Sequence, residues 1–122
     1  MAEHNELGKQ GEAIACSILK NAGYFILDRG WRWHHLELDI IAFKDDTLIV
    51  VEVKTRSSEK FAQPEDTISN KKLKKLFEAA DRYIELKNIV WEVRYDLITV
   101  IVHGETHSSE HLLDAFYPFM NT

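Results

Sequence analysis

Two runs rich in aliphatic and β-branched residues, Leu36 to Phe43 and Leu48 to Thr55, are separated only by the polar turn formers Lys44-Asp45-Asp46-Thr47. So short a break between two such runs predicts a β-hairpin, and the hairpin constrains what the rest of the chain can build on it. Side chains alternate between the faces of a strand. Glu52 and Lys54 therefore share one face while Val51 and Val53 occupy the other, and Glu37 shares a face with Asp39. By the same alternation Leu36, Leu38 and Ile40 are expected on a single face. Centring the turn between Asp45 and Asp46 sets Asp39 opposite Glu52 and Glu37 opposite Lys54, with opposed Cβ atoms about 4.5–5.5 Å apart. A loop one residue longer would turn one strand's set to the other face.

Two opposed carboxylates repel unless a cation lies between them. Mg²⁺ and Mn²⁺ favour hard oxygen ligands of this kind, completed by waters and substrate phosphates. A lysine beside such an ion can orient water or offset charge on a phosphate. Asp39, Glu52 and Lys54 thus suit metal-assisted phosphodiester hydrolysis. A Glu-x-Lys tripeptide alone marks many solvated strand faces, and a Glu37–Lys54 pair read alone is a surface ion pair worth at most about 1 kcal/mol. The acidic partner in register is what sets this hairpin apart.

The remaining elements follow from periodicity. Asn5 to Asn21 is predicted helical, with Leu7, Ile14, Ile18 and Leu19 at helical spacing and Gly23 just past the end. Tyr24 to Leu27 is a strand that Trp31-Arg32-Trp33 continues or flanks. Arg56 to Thr67, with Pro64, is expected to be a loop. Ser69 is a fitting N-cap for a helix over Asn70 to Lys87, whose stripe is Leu73, Leu76, Phe77, Ala80, Tyr83 and Ile84. Ile89 to Val102 is strand-rich, as one strand or as two broken near Tyr95-Asp96. Residues 104–122 form a C-terminal extension in which Leu112 to Phe119 packs back as a turn of helix or an edge segment. The order α-β-β-β-α-β makes an α/β sandwich.

At 122 residues the chain can bury one core and is read as one domain over residues 1–122. With 45% hydrophobic and 29% charged residues it is neither disordered nor fibrous. A net charge of −5 excludes a polybasic nucleic-acid coat. Phosphate contacts would need a local patch, for which Lys71, Lys72, Lys74 and Lys75 at a helix start and Arg56 are the candidates. Cys16 is the single cysteine; it excludes an internal disulfide and is read as a small buried side chain. A polar N-terminus and short apolar stretches point to a cytoplasmic protein without membrane contact. Adjacent His34 and His35 would point to opposite faces, and His103, His107 and His111 straddle Gly104, so the histidines make a poor zinc set. There is no P-loop and no nucleophile elbow. Trp31 and Trp33 are read as sheet-packing aromatics rather than base-stacking ones, with Arg32 between them supporting the acidic site or meeting phosphate.

Gly11-Glu12, Gly23-Tyr24, Trp31-Arg32, Glu37-Leu38-Asp39-Ile40-Ile41-Ala42, Val50-Val51-Glu52-Val53-Lys54-Thr55-Arg56 and Tyr95-Asp96 occur in this order across residues 5–102. In these blocks the chain resembles the YraN family of small, largely uncharacterised bacterial proteins. That family is similar to the PD-(D/E)XK nuclease superfamily, which includes archaeal Holliday-junction resolvases. The resemblance implies a restriction-endonuclease-like three-layer sandwich, with a central mixed sheet flanked by helices, and Mg²⁺- or Mn²⁺-dependent endonuclease action on DNA, branched or otherwise non-B-form DNA included. It makes Asp39 and Glu52 metal ligands and Lys54 the catalytic lysine. Glu12 would assist the metal through water, and the Val53 carbonyl is a further candidate ligand. With so acidic a chain, a homodimer or partner would be needed to add positive surface. Where the family approaches this strand through Gly-Gly, the chain has His34-His35, which limits how closely a nucleic-acid backbone can approach. The alternative reading is a non-catalytic nucleic-acid or protein-interaction module on the same fold.

Overall fold

The computed structural model describes residues 2–58 and 68–118. In chain order the elements are α1 (Ala2–Asn21), β1 (Phe25–Trp33), β2 (Leu36–Lys44), β3 (Thr47–Ser57), α2 (Asn70–Lys87), β4 (Glu92–His103) and β5 (Thr106–Phe116). Asp45 and Asp46 both take positive φ, 52° and 57°, which is what a two-residue turn matching the strand twist requires. The turn sets the hairpin in the predicted register from Lys44↔Thr47 to Ile40↔Val51, but the ladder ends there, so the expected pairs Asp39–Glu52 and Glu37–Lys54 are not formed as ladder partners. The sheet runs β1-β2-β3-β4-β5. Only the β3–β4 pair is parallel, joined through α2, so the sheet is mixed.

Strand β3 alternates as expected. Leu48 and Val50 pack with Leu73, Leu76 and Phe77 of α2, and Ile49 and Val51 pack with Ala15, Cys16 and Leu19 of α1. The two helices thus cover opposite faces and make three layers. Cys16 is buried and unpaired, as read from the sequence. Helix α2 begins at the predicted cap, where Ser69 Oγ accepts from Lys72 N–H.

Strand β2 departs from the expectation of one continuous apolar face. Leu36 and Leu38 pack in the α2 core, whereas Ile40 and Ala42 pack in the α1 core. The alternation therefore resets at Asp39. The same reset occurs across the ladder in β1, where Arg29 reaches Glu12 of α1 and Trp31 packs edge-on against Tyr83 of α2. Between them Gly30 sits at φ 59°, a conformation that glycine takes without strain. The pair Gly30/Asp39 is missing from the β1–β2 ladder, between Arg29↔Ile40 and Trp31↔Leu38.

Of the two readings of the segment after Ile89, a single strand, β4, is found, and its pairing with β5 is shifted between Tyr95 and Leu97. The extension supplies a long edge strand that starts well before Leu112. Its residues through Glu110 are exposed, so no apolar alternation marked it in the sequence. Of the expected loop, β3 extends to Ser57 and residues 59–67 lie outside the described residues. No helix among the described residues is long and apolar enough to cross a membrane.

Candidate functional site

The reset at Asp39 brings that carboxylate to the end of the β2–β3 ladder. Val53 N–H donates to Asp39 Oδ2 at 2.9 Å, so a side chain takes a bond that a continued ladder would direct to a main-chain carbonyl. A strand residue presents its N–H and C=O along the same edge. The Val53 carbonyl therefore faces the gap in which Asp39 sits.

Glu52, on the α2 face of β3, is buried with 8% of its side chain exposed, and Lys72 Nζ of α2 lies 2.8 Å from its Oε2. Asp39, Glu52, Lys72, Lys75 and His35 line one cavity of about 290 Å³. Burial, and then the charge of Glu52, push Asp39 up to about 7, while the Val53 N–H and Lys72 pull it back. Lys72 is subject to opposed effects: burial lowers it, and the bond to Glu52 with its charge more than offsets that, leaving it above the ordinary lysine value.

On the opposite side a cleft of about 440 Å³ lies against α1, lined by Lys9, Glu12, Arg32 and Glu37, and it shares Glu37, Asp39 and Val53 with the first cavity. Gly11 seats this helix. A Cβ there would stand 1.8 Å from Thr55 Oγ1, so only glycine lets the helix backbone rest on β3 and carry Glu12 to the cleft. Burial raises Glu12, and Arg29, 3.6 Å away, counters it. Asp39 thus stands between an acidic helix residue on one side and a carboxylate–lysine pair on the other.

Of the residues singled out from the sequence, Asp39, Glu52, Glu12 and Val53 meet at these two cavities. Lys54 keeps the face of Glu52 by alternation and is half-buried, but it lines neither cavity. The lysine seen against Glu52 is Lys72, which the sequence marked only as one of four lysines among the candidate phosphate contacts. No local signal ties Lys72 to the hairpin, because the contact is made by packing α2 on the sheet. Arg32 is 3.6 Å from Glu37, its partner across the β1–β2 ladder. Arg56 is half-buried beside Ile101 of β4. Lys71 and Lys74 are exposed, and Lys75 faces the Glu52 cavity.

The tryptophans are packing residues: Trp31 on Tyr83, and Trp33 beneath the Arg82 guanidinium. His34, where the family resemblance would have glycine, holds φ 57° in the β1–β2 turn, the backbone region glycine favours. Asp96, whose place in the sequence suggested a structural hydrogen-bonding role and no chemistry, is fully buried. It accepts two bonds from Arg94 and one from Asp114 N–H, all at 2.9 Å, with His111 Nε2 2.8 Å away. Burial alone would raise this carboxyl; these partners instead hold it down at about 2. Among the described residues no group of three or more His, Cys, Asp or Glu side chains is placed to hold a metal ion.

The model of a family described as "Uncharacterised protein family UPF0102" matches residues 11–100. The chain is 50% identical over 118 residues to a UPF0102 protein of Bacteroides thetaiotaomicron, covering 97% of this chain and 98% of that one. It is 46% identical over 117 residues to one of Parabacteroides distasonis, covering 96% and 97%. It is likewise 46% identical over 123 residues to one of Flavobacterium johnsoniae, covering 98% and 100%.

Proposed function

The chain belongs to the uncharacterised protein family UPF0102, and on that premise we propose that it is a metal-dependent endonuclease-like hydrolase of DNA phosphodiester bonds. The observation that carries this reading is Asp39, taken out of the β-ladder, oriented by Val53 N–H and sharing one cavity with buried Glu52. Mg²⁺ is held by one or two carboxylates with waters completing its shell, so two carboxylates lining a cavity with room for the ion and its waters fit it. The crowding that pushes Asp39 up is what a cation between the two would relieve.

In this reading Asp39, Glu52 and the Val53 carbonyl would hold Mg²⁺ or Mn²⁺, with Glu12 assisting through water. The bound ion supplies Lewis acidity toward the phosphate and makes a bound water more acidic. Lys54 offsets charge on the scissile phosphate. Arg32, Arg56, Lys71, Lys72, Lys74 and Lys75 offer cations to the flanking phosphates, and a homodimer would add to them.

The test is cleavage of single-stranded, duplex and branched DNA with and without Mn²⁺. Cleavage should require the ion and fall by at least about 10²-fold in Asp39→Asn and in Lys54→Ala. One observation favours the alternative of a non-catalytic interaction module: Lys72 already neutralises Glu52. DNA retention without cleavage or ion binding would establish that alternative.

A further inference from the structure

The Glu52–Lys72 pair lies at the heart of the candidate site, yet neither the hairpin nor the family resemblance calls for it. A buried carboxylate needs a partner of opposite charge or hydrogen-bond donors to offset its desolvation, and here a charged partner arrives from another layer of the fold. Nζ of Lys72 stands 2.8 Å from Oε2, with the Lys72 side chain 61% exposed and that of Glu52 only 8%. Lys72 thus meets a buried carboxylate while much of its own side chain stays open to solvent. A four-carbon stem can withdraw by rotation alone, without any shift of the helix. The backbone at Lys72 is meanwhile held by the Ser69 cap.

We infer that Lys72 is a positioning residue, an internal cation that occupies the Glu52 carboxylate in place of a divalent ion and must leave it when an ion enters. The inference rests on the reading above that Asp39 and Glu52 receive such an ion. The exchange is of contacts only: one Nζ–H···Oε2 bond breaks, and that oxygen turns to the ion. A divalent ion drawn onto Glu52 would stand within a few ångströms of the Lys72 ammonium and repel it in a part-buried site. The displaced ammonium remains in the cavity that Lys75 and His35 also line, where a substrate phosphate is the anion it would meet. The chain would therefore hold its two carboxylates together before any ion arrives, and would present a lysine to substrate only once an ion is in place.

The experiment is calorimetric titration of Mn²⁺ into the full chain, together with melting temperatures with and without Mn²⁺. Native protein is compared with Lys72→Met, Lys72→Arg and Lys87→Met, the last removing a charge roughly 20 Å further along the same helix. Lys72→Met should bind Mn²⁺ at least about tenfold more tightly than native. It should also melt lower without the ion and gain more on its addition. Lys72→Arg and Lys87→Met should stay near native affinity. Native binding with unchanged or weaker binding by Lys72→Met overturns the internal cation while leaving the metal site standing. Equal tightening by Lys87→Met overturns it as well, since net charge alone would then account for the effect. Binding by Lys72→Met where native binds none supports it, and binding by neither removes both it and the metal site. If Lys72→Met does not fold alone, refolding on addition of Mn²⁺ supports the inference, and failure to refold overturns it.

Discussion

Two aspartates of this chain are driven in opposite directions by their surroundings. Asp96 has its acid pKa held at about 2 against an ordinary 3.8. Its stabilising contribution is therefore complete above about pH 4 and is lost as pH falls toward 2. Asp96→Asn should cost about 3 kcal/mol, because the part-buried Arg94 loses its counter-charge, and it should flatten the acid limb of urea midpoints measured from pH 5 to pH 2. Asp39 behaves in the reverse sense. Raised from 3.8 to about 7, it favours the folded state below about pH 4, and that contribution is lost as pH rises through 7. Without divalent ion the protein should become less stable between pH 5 and pH 8. Asp39→Asn, whose amide oxygen can still accept the Val53 N–H, should remove that slope.

At the scale of elements, two contacts fix how the helices deliver their side chains. Ser69→Ala removes the acceptor for Lys72 N–H and should cost about 1 kcal/mol in denaturant unfolding, with fraying confined to the turn that carries Lys72. Gly11→Ala forces a Cβ against Thr55 and should cost about 1–3 kcal/mol by overpacking. Combining it with Thr55→Ala should restore only part of this, since Thr55 Cβ itself would be 2.7 Å from the new methyl. Amide exchange of α1 would report the shift of Glu12 away from the cleft.

For the whole molecule, two separate cores close on either face of the sheet, and the candidate ion site lies outside both. Saturating Mn²⁺ should add about 2.7 kcal/mol at a hundred times Kd, a gain that Asp39→Asn should abolish in thermal melts. With a net charge of −5, DNA binding in the proposed reading rests on a local patch, so affinity should fall steeply with salt. Replacing Lys71 and Lys74 should each lower the log–log salt slope by about 1.

The sequence determined what local spacing can determine. Asp45-Asp46 set the turn and with it the β2–β3 register, Ser69 set the start of α2, and the apolar stripes assigned each helix a buried face. Alternation and turn geometry act between neighbours, so these could be read directly. The edge strand β5 escaped because a strand with one uncovered face needs no apolar pattern. The reversal at Asp39 escaped because it depends on Gly30 in a different strand and on two helices competing for opposite faces of β2. Only packing in three dimensions brought Lys72 to Glu52 and added His111 and Asp114 to the strand neighbour Arg94 around Asp96. Charges distant along the chain become partners through the burial of other residues, and no spacing between them in sequence records that.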